Sequence, residues 1–217
     1  MIDPLTGRSA VLLLGAQTIG GMLRLSVQSW FAVVFIIVIF AFGVALDSAS
    51  NKRRDTELLV RRIAEMRVGT SSFTEARAMA EEHGGKPTRE NCSAQACTFT
   101  FVIDNKPLSY IPGVSVVQFV ATIGVKDGYV SERQIRYAIL NRTGADFAYL
   151  LTDQVDLHGF DVQKLKVDAN GMPHVLKVSL GQSATADERK RAYSIGFSCL
   201  ARLSGCRHAS AVFPSGL

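Results

Sequence analysis

The spacing of hydrophobic and polar positions changes twice along the chain. Trp30–Leu46, WFAVVFIIVIFAFGVAL, carries no charge and no polar side chain apart from the indole. At about 1.5 Å per helical residue these positions reach about 26 Å, and with Val27, Gln28 and Ser29 about 30 Å, the thickness of a hydrocarbon core. A helix apolar on every side has no face to turn to water. The pattern therefore predicts one transmembrane helix over 30–46, with Trp30 in the interfacial belt. A polar linker over 47–55 follows. Leu59, Ile63 and Met66 then recur at helical spacing in TELLVRRIAEMRVG, a helix expected to stop at Gly69. A second helix begins at a capping box, Ser72-Phe73-Thr74-Glu75, and turns Ala76, Met79, Ala80 and His83 inward. Gly84-Gly85 ends it before Pro87.

From Cys97 the period becomes two. Phe99, Phe101 and Ile103 alternate with polar or outward positions in CTFTFVID. VSVVQFVATIGV and YVSERQIRYAIL flank Lys126-Asp127-Gly128, and Asp-Gly is a strong hairpin signal. FAYLL alternates again. KLKVDANGMPHVLKVSL predicts a second hairpin turning at Asn170-Gly171, with Pro173 on an edge because it lacks an N–H for an interior ladder. The tail AYSIGFSCLARLSGC reads as a strand with Tyr193, Ile195, Phe197 and Cys199 on one face. It turns at Ser204-Gly205, and RHASAVF adds a helical turn before Pro214. The expected architecture is α+β: a transmembrane helix, two short helices, and an antiparallel sheet of about six strands whose apolar face the helices cover.

Composition sharpens the division. The chain has 217 residues, yet 22 of its 24 Lys and Arg and 18 of its 19 Asp and Glu follow Leu46. Residues 56–217 thus read as an ordinary soluble domain. Its mild positive charge is interleaved with acid and forms no basic stripe with stacking aromatics, which argues against nucleic acid as a partner. The lead, residues 1–29, holds AVLLLGAQTIGGML, too short and glycine-rich for a span and lacking the second glycine of a dinucleotide motif. A cleaved signal peptide is the alternative to an anchor. Gly43-Val44-Ala45 and Ser48-Ala49-Ser50 fit its small-x-small rule, but the long lead opposes it unless translation begins at Met22.

Orientation sets two signals against each other. Lys52, Arg53, Arg54, Arg61 and Arg62 follow the apolar run, whereas only Arg8 and Arg24 precede it, so the positive-inside rule points to a cytoplasmic domain. Cys92 and Cys97, then Cys199 and Cys206, form two close pairs, as expected of disulfides in an oxidising compartment. Four buried thiols, or a metal site on these same cysteines, are the other readings. The spacings sit at or beyond the usual limits for structural zinc. The balance places the domain outside the cytoplasm.

Two resemblances add to this. The order helix, Gly69-Thr70-Ser71 turn, helix, Gly85-x-Pro87, strand is similar to the lead-in of small lipoprotein modules of the outer-membrane assembly and beta-lactamase-inhibitor type. It covers about residues 58–103, without a lipobox cysteine. The ending, with Cys199, Leu200, Gly205 and Cys206, resembles a loose group of uncharacterised single-span acidobacterial membrane proteins. That likeness covers residues 22–214 and implies no activity.

Catalytic motifs are sparse. GGKP lacks the preceding glycine of a phosphate loop, and His83, His158, His174 and His208 form no metal-protease pattern. No G-x-S-x-G elbow occurs. Asp153, Asp156 and Asp161 cluster around His158 in TDQVDLHGFD, the best candidate ion or general-base site, although loops collect aspartates for their turn chemistry. Two sequons, Asn91-Cys92-Ser93 and Asn141-Arg142-Thr143, decide nothing. No cofactor is expected. The functional expectation is a non-enzymatic envelope module, anchored in the bilayer through residues 30–46, that binds another protein or a surface ligand. The alternatives are a tethered hydrolase using Asp156 and His158, and a cytoplasmic metal-stabilised regulatory domain.

Overall fold

The computed structural model describes residues 27–88, 92–105, 114–140, 147–169, 171, 173–202, 206, 208, 211–214 and 216–217. The chain divides into two compact units, Met1–Val44 and Ala45–Leu217. The described part of the first is helical. Its Trp30, Phe31, Phe35 and Phe40 side chains are exposed, as an apolar surface built for lipid would be. Trp30–Glu65 contains a window of mean hydropathy 2.6, which makes this helix long and apolar enough to cross a membrane.

The α1 helix is Val27–Glu65, so the polar stretch 47–55 is helical and the helix expected from Leu59 onward is the end of the same element. The reason is local. Residues 47–55 contain neither Gly nor Pro, Asn51 donates to Asp47 and Arg53 to Glu57 one turn apart, and the Thr56 hydroxyl returns to the Lys52 carbonyl. The α2 helix, Phe73–Glu82, has both halves of its capping box, Ser72 with Glu75, and buries Ala76, Met79 and Ala80. A third helix, α3 (Ala186–Tyr193), starts from a second capping box, Thr185 with Glu188. Its last residue, Tyr193, was expected to begin a strand. The backbone instead leaves the helix and makes a 3-10 turn at Ser198–Leu200, yet Tyr193, Ile195, Phe197 and Cys199 are buried as the pattern required.

Among the described residues the expected sheet of about six strands has seven: β1 Lys86–Pro87, β2 Ala96–Asp104, β3 Val116–Lys126, β4 Tyr129–Leu140, β5 Phe147–Gln154, β6 Phe160–Val167 and β7 Pro173–Leu180. Their order is β1-β2-β3-β4-β5-β7-β6, and the sheet is antiparallel as expected except for the parallel β5–β7 pair. Burial explains the exchange. Strand β7 hides Leu176, Val178 and Leu180, whereas β6 is polar or exposed along most of its length. The apolar strand takes the interior position and leaves β6 at the edge. Pro173 is therefore on an interior strand, tolerated at its first residue. The β3–β4 turn matches its sequence signal, with both Asp127 (φ 53°) and Gly128 (φ 86°) left-handed.

One face of the sheet is covered. Leu59, Val60 and Ile63 of α1, the inner residues of α2, Ala192 and the tail through Val212 share one core with Phe99, Phe101, Phe119, Tyr137 and Tyr149. Phe197 anchors the tail with its ring edge-on to Phe119 and Tyr137, centroids 5.6 and 5.2 Å away.

Candidate functional site

Inward positions of β4 alternate as Arg133, Ile135, Tyr137 and Ile139, which puts a guanidinium in the core. Arg133 is 2% exposed and directly paired in register with Asp153, 1% exposed, on β5. Its Nη2 ion-pairs with Asp153 Oδ2, and its Nη1 donates to the carbonyls of Ile63 and Met66 at the end of α1. Those carbonyls lack helical partners and carry the negative end of the helix dipole, so a cation suits them. Arg189 on α3 reaches the same Asp153 Oδ2 at 2.7 Å and the Gly181 carbonyl at 2.6 Å. The Arg133 guanidinium also lies 5.1 Å from the centroid of the Tyr193 ring.

The cluster is a joint. It ties α1, β4, β5 and α3 together at one end of the covered face, where Arg133 and Asp153 are balanced by each other and by their hydrogen bonds rather than by solvent, and Arg189 is partly exposed. Around it, burial pushes the Tyr137, Tyr149 and Tyr193 phenols well above the usual tyrosine range, and Arg133 pulls the other way on Tyr193. Tyr149 donates to the Ala192 carbonyl at 2.6 Å, a further tie from the sheet to α3.

The four residues of the candidate ion or base site are not brought together. Asp153 is enclosed and held by two arginines, whereas Asp156 and His158 are exposed on the β5–β6 connection and Asp161 is exposed near the start of β6. Among the described residues no group of three His, Cys, Asp or Glu is arranged to hold a metal ion. Three surface grooves of about 300, 310 and 400 Å³ run beside α2 and the polar part of α1, and none is lined by these four residues. The partners of Asp153, Arg133 and Arg189, were missed. The available signal was Arg133 itself, a charge at an inward slot of a strand.

The cysteines form two local disulfides, Cys92–Cys97 and Cys199–Cys206, with Cα atoms 4.6 and 5.7 Å apart. The first ties the chain entering β2 to its second residue. The second closes the tail in the core, and the Cys206 amide donates to Ser115 Oγ at 3.3 Å, joining the tail to the approach to β3. Residues 1–26 of the lead, Asn91, the sequon at 141–143, Asn170 and the Ser204-Gly205 turn lie outside the described residues, and the last three residues of the lead open α1.

Among the described residues no helix covers the other face of the sheet. Thr100, Thr122, Gln134, Thr152 and Ser179 form a polar row in register across β2, β3, β4, β5 and β7, all exposed or half-buried. The sheet edges are poor templates for added strands. Strand β1 has two residues, one of them Pro87. On β6, exposed Lys164 and Lys166 flank Leu165, Lys166 is left-handed (φ 50°), and the pairing skips from Leu165 with Val175 to Val167 with Pro173. No family model matches the chain, and no curated protein or solved structure is significantly similar to it.

Proposed function

We propose that this chain is a single-span membrane protein whose Ala45–Leu217 unit lies outside the cytoplasm and works as a non-enzymatic binding module for another envelope protein. The observation that carries this reading is the open sheet face with its row of Thr100, Thr122, Gln134, Thr152 and Ser179. Short hydroxyl and amide side chains on a rigid sheet offer donors and acceptors at fixed spacing with little entropy to lose on binding. The protected edges favour the face over strand addition. Two disulfides support an oxidising compartment. Against this stand the cations after the apolar run, of which Lys52, Arg53 and Arg62 are engaged with Asp104, Glu57 and Glu65.

Two measurements on intact cells test the reading. Thiol alkylation with and without reductant, followed by intact mass, should find the four cysteines blocked until reduced and residues 30–46 retained. Four free thiols shielded from an impermeant reagent would move the domain to the cytoplasm. A photoreactive residue at position 122 should yield a discrete protein adduct that one at Arg77, exposed on α2, does not. Equal silence at both positions removes the open face as a binding surface.

A further inference from the structure

We infer that one end of the open sheet face rests on an anionic lipid surface, an inference that depends on the membrane-anchor reading above. Six large hydrophobic side chains of the Ala45–Leu217 unit are strongly exposed among the described residues: Leu58, Val102, Tyr129, Leu140, Leu165 and Val167. Four of them collect at one end of the sheet. Register places Leu140 opposite Val116 and Val167 opposite Pro173, in the last paired row of their strands. Leu165 lies one row in, on the line Asp104, Gln118, Ala138, Ala148, Val175, and Val102 one row further, on the line Val120, Arg136, Leu150, Lys177. These four are 42–57% exposed. Tyr129 is at the opposite end, where β4 begins.

This is also the end at which the chain enters the unit. Ala49 packs on Val114, and Lys52 Nζ donates to the Asp104 carbonyl at 2.7 Å. Lys52 is six helical steps beyond Leu46, the last residue of the apolar run, a rise of about 9 Å. If Leu46 marks the edge of the hydrocarbon, the Asp104 end of β2 is within the depth of the headgroup layer, where exposed aliphatic side chains gain by leaving water. Exposed aliphatics on an aqueous domain otherwise invite association.

Charge favours anionic headgroups. Exposed Arg136 shares a row with Val102, and exposed Lys164 and Lys166 flank Leu165. Of the described carboxylates at this end, Asp47 accepts from Asn51, Asp104 is paired with Lys52 at 3.6 Å and Asp168 has a contact of its own, while Asp55 is exposed one turn further along α1. Cations near an acidic leaflet add to the apolar contact and fall off within a Debye length.

The test uses the full chain in vesicles containing phosphatidylglycerol, with nitroxide labels introduced one at a time by Leu140→Cys, Val167→Cys, Tyr129→Cys and Phe40→Cys. Collision with oxygen and with a water-soluble nickel complex reports depth. Labels at 140 and 167 should be protected from nickel several-fold relative to 129, and Lys164→Glu with Lys166→Glu should return them to the value at 129. Labels at 140 and 167 as aqueous as 129, while the label at 40 is deep, would overturn the lipid contact and leave the anchor standing. An aqueous label at 40 would remove the anchor reading and this inference together. Protection at 140 that disappears on diluting protein in lipid, with spin–spin broadening, would assign the patch to a second copy and overturn the inference.

Discussion

Arg133 and Asp153 sit directly opposite each other on β4 and β5 and form an ion pair on the covered face of the sheet, out of contact with water. Arg189 completes the cluster from α3, but it is 29% exposed. Removing either buried partner leaves a charge in the core with less to balance it. Asp153→Ala should destabilise the full chain in detergent micelles by about 3–5 kcal/mol, read by denaturant unfolding. Arg189→Ala should cost much less, because its charge is partly solvated. The double change Arg133→Met with Asp153→Leu should recover part of the loss, since it removes both buried charges at once. Equal costs for Asp153→Ala and Arg189→Ala would contradict the joint described above.

The two disulfides should differ in access. Cys199 and Cys206 are both buried, whereas Cys92 is only half-buried. A mild reductant followed by alkylation and peptide mass should open Cys92–Cys97 first. Replacing both Cys199 and Cys206 by Ala should cost about 2.5 kcal/mol, the chain-entropy value for a loop of this size. Loss of Cys199–Cys206 first would place that sulfur pair nearer solvent than its burial allows.

Alkaline stability should be limited by tyrosine. Burial raises the folded-state values of Tyr137, Tyr149 and Tyr193 above the unfolded value of about 10. Above that value the unfolded chain releases these protons while the folded chain keeps them. Their contribution is complete below about pH 10 and is lost as pH rises toward the folded values. Ultraviolet titration should show tyrosinate absorbance that rises together with loss of far-ultraviolet dichroism. Ionisation of all tyrosines without unfolding would contradict their burial.

Gly181 packs against the β5–β6 connection. Its amide donates to the Gly159 carbonyl at 2.7 Å, and Gln182 donates to the Leu157 carbonyl at 3.1 Å. A Cβ at position 181 would fall inside contact distance of the Leu157 carbonyl and the His158 amide, both backbone. Gly181→Ala should therefore cost about 1–3 kcal/mol and shift the connection that carries Asp156 and His158. Gly171→Ala, where the space is open, meets only the penalty of its left-handed backbone, φ 77°. The comparison is a thermal melt of the two variants, and a larger loss at Gly171 would contradict the packing.

Much of the fold was legible because its signals are local. An uninterrupted apolar run, the Ser72–Glu75 capping box, the Asp127-Gly128 turn and the alternation of Phe99 with Phe101 each involve residues within a few positions of one another. The Thr185–Glu188 box was equally local, but the apolar alternation from Tyr193 onward drew the tail toward a strand. Its buried side chains satisfy the same pattern from an irregular backbone, because burial constrains where side chains point and not which hydrogen bonds the main chain makes.

By itself, then, the sequence determined the long apolar helix, the two periodicities of the remaining chain, the α+β class, and the closeness of each cysteine pair. Only the tertiary structure decided that β7 displaces β6 to lie parallel to β5, that α1 runs unbroken to Glu65, and that Arg133, Asp153 and Arg189 meet beneath the sheet. The strand exchange and the charge cluster depend on partners from 20 to 70 positions apart. Competition among distant segments for one buried surface, rather than any local preference, settles which partners meet.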